Sequence, residues 1–288
     1  MIAFVILHFV AFEMTCKCVD NLLNTINDEP IFIIVVDNGS ANKSGEKLVN
    51  RYKNERKVQI VLNKENLGFA KGNNIGYQIA KERNPDFIIV MNNDVIIEDK
   101  DFCTNTWRVY NNHWFHVCGP DIYNPITKER QNPSRIRELS NSDLEYERYF
   151  RTKMDKHYLF YFIRKNTIGR LKTFFIRRSQ NSSDIERDKV LENVVLHGAC
   201  YIFSRRYIDE CENAFNPNTF LYFEEDILFE ECKRKHYNIL YDPSLKVQHL
   251  EDVSTNEVFK NEYKKGRMKN HEMLKSINVL IELRKGFN

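Results

Sequence analysis

The sequence has no C-x-x-C pair, no apolar run long enough to cross a bilayer, no glycine-rich phosphate loop and little net charge. Each absence removes a class of protein. The seven cysteines, at positions 16, 18, 103, 118, 200, 211 and 232, are odd in number and scattered, so neither a zinc ribbon nor a disulfide framework is indicated. Free thiols fit a reducing compartment. A formal net charge of +3 over 288 residues is too small to argue for nucleic acid, and no basic cluster reads as a base-reading motif. Met1 to Phe12 is apolar, but it lacks a basic leader and a small-residue cleavage site, and Glu13 follows at once. It also falls short of the ~20 residues that a membrane span takes. Read as a first buried strand, it predicts a cytoplasmic protein. No internal repeat or low-complexity tract stands out.

What is present is enough for a packed core: 42% hydrophobic and 29% charged residues, in a length that suits one large domain or one and a half. Through the first hundred residues, apolar runs alternate with helical spacing. Ile2 to Leu7, Ile31 to Val36, Val58 to Leu62 and Phe87 to Met91 are the runs. Helices are expected through Cys16 to Ile26, Glu46 to Tyr52 and Phe69 to Arg83. Continuous apolar runs of this length indicate strands of a parallel sheet covered on both faces. The expected order is β-α-β-α-β-α-β, a doubly wound nucleotide-binding half. After Asp101 the alternation stops. Strands are expected at Phe115 to Gly119, Val194 to Phe203, Ile239 to Tyr241 and Lys246 to His249, and a helix at Glu224 to Lys235. The domain reading is therefore 1–100, 101–255, and a helical tail over 256–288.

Ligands of open α/β sheets bind beyond the carboxyl ends of the strands. The residues there are His8-Phe9-Val10-Ala11, Asp37-Asn38-Gly39-Ser40, Asn63-Lys64-Glu65-Asn66 and Asn92-Asn93-Asp94. No G-x-G-x-x-G follows the first strand and no G-K-[ST] occurs, so a dinucleotide fingerprint and a P-loop are both excluded. The arginine-containing glycine loop of a sugar-nucleotide pyrophosphorylase is missing too.

The combination that remains is Val35 to Ser40, then Asn66-Leu67-Gly68-Phe69-Ala70-Lys71-Gly72-Asn73-Asn74, then Met91 to Asp94, His197-Gly198-Ala199-Cys200, Phe220 to Asp226 and Val247-Gln248-His249. In this order it resembles the family-2 glycosyltransferases of the A-type fold, especially the rhamnosyltransferase-like members that build bacterial surface polysaccharides. The fold this implies is α/β: a Rossmann-like nucleotide-binding half followed by a mixed-sheet acceptor half. The activity it implies is metal-dependent, inverting transfer of a sugar from a UDP- or dTDP-linked donor to a glycan or lipid-linked acceptor. A sugar nucleotidyltransferase, or a catalytically weak relative acting as a binding subunit, stays as the alternative.

The resemblance assigns roles residue by residue, each beside a plainer reading. Asp37 would accept a hydrogen bond from the donor's pyrimidine, with Asn38 and Ser40 beside it; Asp-Asn-Gly-Ser is also good turn chemistry. Asn66, Gly68, Phe69, Asn73 and Asn74 would lie against the nucleoside, and Lys71 would face the phosphates or simply be solvated. Gly68, Gly72 and Gly76 share one helix face, which calls for a close approach to the sheet or to a nucleotide. Asn92-Asn93-Asp94 stands where the family has D-x-D. Asp94 would be the ligand of Mg²⁺ or Mn²⁺, and Asn92 would bond the ribose or a metal-bound water. His249, followed by Glu251 and Asp252, would contact the metal or the diphosphate. The catalytic base falls within Glu224-Glu225-Asp226. Glu225 matches by position, Asp226 is the runner-up, and Ile227 replaces a further acid. Acids at a helix start are also favourable for the helix dipole alone. His197 and Gly198 would line the acceptor side.

One segment fits none of this. Between Arg148 and Arg178 ten basic residues (148, 151, 153, 156, 164, 165, 170, 172, 177 and 178) face one acid, Asp155, with eight aromatic residues interleaved. A solvated helical face would explain it; so would peripheral contact with an anionic membrane at the inner face of the cell membrane. No other feature supports nucleic acid as its partner.

Overall fold

The four amino-terminal apolar runs are rich in isoleucine and valine, with almost every residue buried in three of them, and they form neighbouring parallel strands. A computed structural model of the chain describes residues 1–167, 185–250 and 262–286. Strands β1 (Ile2–His8), β2 (Ile31–Asp37), β3 (Val58–Leu62) and β4 (Phe87–Asn92) lie in the order 3-2-1-4, all parallel. The crossovers are α1 (Phe12–Thr25), α2 (Ser44–Tyr52) and α3 (Gly68–Glu82). Packing of α3 explains two of its glycines. A Cβ at Gly72 would come 2.6 Å from Leu7 Cδ1, and one at Gly76 would run into Val5. The close approach there is to the sheet.

Beyond residue 96 the sheet continues without a break but turns mixed. After the short β5 (Val95–Ile96) and α4 (Phe102–His113) comes β6 (Val117–Asn124), with β7 (Glu129–Arg130) on its edge. Helices α5 (Asn141–Lys156) and α6 (Tyr158–Thr167) precede β8 (Leu191–Glu192), β9 (Cys200–Ser204), α7 (Arg205–Glu210) and α8 (Glu224–Arg234). The last strand is β10 (Ile239–His249), and α9 (Glu262–Lys285) follows it. Strand order is β3-β2-β1-β4-β9-β6-β10-β5, with β9 antiparallel to both of its neighbours.

Three details differ from the sequence-based expectation. The strand expected over Val194–Phe203 is confined to Cys200–Ser204. The two short strands expected near the end are a single β10, whose register against β6 shifts between Asp242 and Lys246. Ser244 folds back within that bulge, its N–H and hydroxyl both donating to Asp242 Oδ1. Finally, α4 and the first half of α5 fall where no periodicity was read, while the rest of α5 and α6 lie in the segment from Arg148 for which a solvated helical face was one reading. In α5 only Leu144, Arg151 and Met154 are buried, too narrow a stripe to register as amphipathic. Its start is marked instead by a Ser140/Asp143 capping box.

Two hydrophobic cores sandwich the sheet. One includes α1 and α4; the other includes α3, α7 and α8. A third, smaller core of Leu144, Ile227, Ile277, Leu280 and Ile281 ties α5, α8 and α9 together. All seven cysteines are buried and unpaired.

Candidate active site

Parallel strands present their carboxyl ends along one edge, and the polar residues of this chain gather there. His8 ends β1, fully buried. Its Nδ1 and Nε2 lie 2.7 Å from Thr15 Oγ1 and 2.7 Å from Ser44 Oγ. Because the Thr15 hydroxyl donates to Ala11 O, it accepts from His8, which places the proton on Nδ1 and leaves Nε2 to accept from Ser44. Burial lowers the His8 pKa to about 4, so the ring is neutral. Asn93 donates to the same Thr15 oxygen at 2.9 Å. One hydroxyl thus joins the ends of β1 and β4.

Asp37 ends β2 beside this network. Its carboxylate accepts from the Ser40 hydroxyl, and Ser40 Oγ in turn accepts from Val10 N at 2.8 Å. Burial raises the Asp37 pKa, and the two Ser40 bonds oppose that rise. A side chain at Gly45 would collide with the carboxylate. Asn38 donates to Asn66 Oδ1 (3.0 Å) and Gly68 O (3.1 Å) and accepts from Leu67 N (3.0 Å). Asn73 donates to Phe69 O, while Asn74 makes a two-way pair with the backbone of Phe215 at 2.8 and 3.0 Å. The Phe69 ring packs on Phe215. The amides of Asn38, Asn66, Asn73, Asn74 and Asn93 therefore build the walls of this strand-end edge. The side chain of Asn92 is half-buried, that of Lys71 is exposed, and neither has a partner among the described residues.

Pairing of β5 with the end of β10 sets His249 opposite Val95, one residue from Asp94. His249 Nε2 lies 3.2 Å from Asp94 Oδ1, and both side chains are buried. Asp94 Oδ1 has no hydrogen-bond partner. On the far side of the ring, Nδ1 is 2.8 Å from Gln131 Oε1. Gln131 thus holds the ring through Nδ1 and leaves Nε2 facing Asp94. This is how a metal-binding histidine is oriented. The His197 ring stands edge-on to His249 at 5.7 Å. Burial, and then the neighbouring His249, lower the His197 pKa to about 4. Its Nδ1 accepts from Ala199 N, so its Nε2–H is the atom offered to a ligand. A Cβ added at Gly198 would meet nothing within 4 Å, so the space in front of it is open.

A divalent cation fits this pair. A buried carboxylate oxygen without a partner, beside an imidazole nitrogen, supplies two ligands. Among the described residues no group of three or more His, Cys, Asp or Glu side chains converges on one point. Further ligands would have to come from substrate oxygens and water, as is usual for Mg²⁺ in phosphate sites. Glu251 and Asp252 lie outside the described residues.

The acidic cluster opens α8, behind a strained turn. Tyr222 (φ 76°) and Phe223 (φ 67°) are both left-handed. Such residues cost about 1–3 kcal/mol each and persist only where the surroundings impose them. Phe69 N donates to Phe220 O at 2.6 Å, and the Ser276 hydroxyl donates to Leu221 O at 3.2 Å. Gly68 (φ 82°) has no room for a Cβ against Phe220. Glu224 is buried with an unpartnered Oε1, and burial, then the charge of Glu225, raise its pKa to about 8. Burial and the charge of Asp226 also raise Glu225, whose side chain is only half-buried. Asp226 is paired with Arg135. Sequence reasoning missed Arg135 and Gln131, which lie in the irregular segment between β7 and α5.

A parallel four-stranded half, extended by antiparallel β9 into a mixed sheet, defines an A-type glycosyltransferase fold. The family model of glycosyl transferase family 2 matches residues 4–181, and the chain belongs to that family. Solved structures similar to it include residues 1–349 of TarS from S. aureus in complex with UDP, at 13% identity and a TM-score of 0.53. That match covers 98% of this chain and 65% of the other, so this chain spans just under two thirds of that structure. The same TarS fragment with UDP-GlcNAc matches at 12% identity and a TM-score of 0.52, covering 100% and 73%. The mannosyltransferase PcManGT from Pyrobaculum calidifontis, in complex with GDP-Man and Mn²⁺, matches at 9% identity and a TM-score of 0.53, covering 100% and 75%. None of the curated proteins matches the chain.

Proposed function

We propose that the chain is an inverting glycosyltransferase that moves a sugar from a UDP- or dTDP-linked donor to a hydroxyl of a glycan or lipid-linked acceptor in cell-surface polysaccharide synthesis. The observation that carries the reading is the Asp94–His249 pair, with its unpartnered carboxylate oxygen, at the strand-end edge where a nucleotide diphosphate would lie. The structures in complex with UDP, UDP-GlcNAc and GDP-Man support a donor of this kind.

Asp94 and His249 would hold a Mg²⁺ or Mn²⁺ ion, which when bound neutralises charge on the departing diphosphate. The chain's own groups do the rest. Glu225 takes the proton of the acceptor hydroxyl as its oxygen bonds to the anomeric carbon, and the bond to the diphosphate breaks with its electrons leaving on phosphate oxygen. A carboxylate whose pKa is raised by burial and by the charge of Asp226 suits that task. Asp226 is a poorer base, because Arg135 already holds it. Glu224, protonated at neutral pH, shapes the site without competing for the proton.

Two variants test the assignment by donor-binding calorimetry and a transfer assay. Asp94→Ala should abolish the metal-dependent part of donor affinity; wild-type metal dependence in that variant would remove Asp94 from the site. Glu225→Gln should keep donor binding and lower transfer by about 10²–10⁴-fold, the usual contribution of general base catalysis. Full activity in Glu225→Gln would move the base elsewhere.

A further inference from the structure

Among the described residues the basic aromatic segment contributes no side chain to the site just described; its residues 168–178 lie outside them. Residues 141–167 and 262–271 together carry ten lysines and arginines against five carboxylates, although the whole chain has only three more bases than acids. The rest of the molecule is therefore net acidic, and the basic charge is concentrated at one place. That place is a corner where α6 lies on the first turns of α9. Tyr158 is buried there and meets the Tyr263 ring edge-on at 5.2 Å, with its hydroxyl over Gly266, where no Cβ would fit. Phe162 meets Tyr263 from α6 as well, also at 5.2 Å.

These inward aromatics pack α6 onto α9, with Tyr161 against Tyr158, and leave Leu159 and Phe160 facing outward. Leu159 is 59% and Phe160 69% exposed. On α5, Tyr146, Tyr149, Lys153 and Lys156 follow at helical spacing along one exposed face, and the Lys153 ammonium sits 4.4 Å from the centre of the Tyr149 ring. Single exposed apolar residues are ordinary. Exposed tyrosine, leucine and phenylalanine side chains on successive helices, interspersed with exposed lysines, have the composition of a surface that lies in a lipid interface. A cavity of about 540 Å³ opens at the same corner, bordered by Lys264, Arg267 and His271.

We propose that this corner, formed by α5, α6 and the start of α9, docks on an anionic bilayer surface, with Leu159 and Phe160 entering the interface and the lysines meeting lipid phosphates. Its position gives the contact a use. Gly266 packs under Tyr158, and Lys269, one helical turn further along α9, sits 5.2 Å from the Tyr222 ring centre. The docking corner therefore adjoins the strained turn that leads to Glu224. Under the proposed function, a lipid-linked acceptor hydroxyl would arrive from the side on which Glu225 waits. Docking itself is independent of that reading.

Co-sedimentation of the full chain with vesicles tests the proposal. Phosphatidylcholine vesicles should bind little, and vesicles of phosphatidylcholine mixed equally with phosphatidylglycerol should bind well, less so as salt is raised. Lys153→Glu with Lys156→Glu should lower partitioning by about tenfold or more, given a few-fold per basic residue near the surface. Leu159→Ser with Phe160→Ser should lower it on both vesicle types. Lys53→Glu with Lys57→Glu, at the β3 edge of the sheet, should leave binding at the wild-type level. All of these side chains are exposed, so circular dichroism should show every variant folded. Equal binding to neutral and anionic vesicles, no binding to either, or equal losses at the β3 edge would overturn the proposal. So would light scattering that shows a dimer broken by the Leu159 and Phe160 changes. None of these outcomes depends on sugar transfer, so a failed docking test leaves the proposed function standing, and a failed transfer assay leaves docking standing.

Discussion

Glu224 shows how burial makes one carboxyl differ from its neighbours. Its pKa is raised to about 8 in the folded chain from an ordinary 4.5. Between those values the folded state keeps a proton that the unfolded chain releases, so stability falls as pH rises through that window. The buried imidazoles His8 and His197 act on the acid side. Each is lowered from 6.5 to about 4, so the unfolded chain takes up protons that the folded chain refuses, and stability falls as pH drops through that interval. The expected profile is a maximum near pH 6 with losses on both sides. Glu224→Gln should remove the alkaline loss: its melting temperature at pH 8 should exceed wild type by about 4 °C or more, and the two should converge near pH 4.5. Differential scanning calorimetry across pH would check this; parallel profiles would mean that Glu224 is ionised in the folded protein. At this scale the strand-end residues were legible, because Asp37 and Asp94 each follow an apolar run. Arg135 was not, because its partner Asp226 lies 91 positions away and no local pattern marks either as half of a pair.

Among the elements, the clearest contrast is between glycines that touch the sheet and one that touches nothing. Gly76→Ala should gain up to about 1 kcal/mol of helix propensity. It should lose more than that, because the added methyl runs into Val5 and the cost of overpacking is about 1–3 kcal/mol. Gly198→Ala meets open space and should leave stability near wild type while raising the acceptor KM. Urea titrations of both, with acceptor kinetics for the second, separate the two kinds of glycine. The amino-terminal strands could be read from sequence because burial on both faces leaves a run with almost no polar interruption. Helix α5 could not, since it rests on three buried side chains and one of them is an arginine. Arg151 is held there by Glu147 and by an exchange of hydrogen bonds with Asn270 of α9.

Across the whole molecule, α9 connects parts that the sheet keeps apart. Leu280 is fully buried in the small core shared with α5 and α8, and Arg284 bonds Glu230 at 2.8 Å and Leu139 O at 2.9 Å. Leu280→Ala should cost about 2–5 kcal/mol, measurable as a lower urea midpoint. Under the proposed function it should also lower kcat more than it changes the donor KM, since Ser276 and Lys269 steady the turn before Glu224 while the proposed donor edge belongs to β1, β2 and β4. The doubly wound half was legible because its contacts are between elements close in sequence. The insertion of β9 between β4 and β6 was not, because it depends on pairings more than a hundred positions apart from β4. That insertion also governs the order in which the molecule is completed. A chain emerging from the ribosome can assemble β1 to β4 early, but β4 keeps an unpaired edge until residues 200–204 appear. Asp94 does not meet His249 until the last strand has docked. A chain cut or halted before β10 therefore carries the strand-end walls of β1, β2 and β4 without the Asp94–His249 pair that completes them.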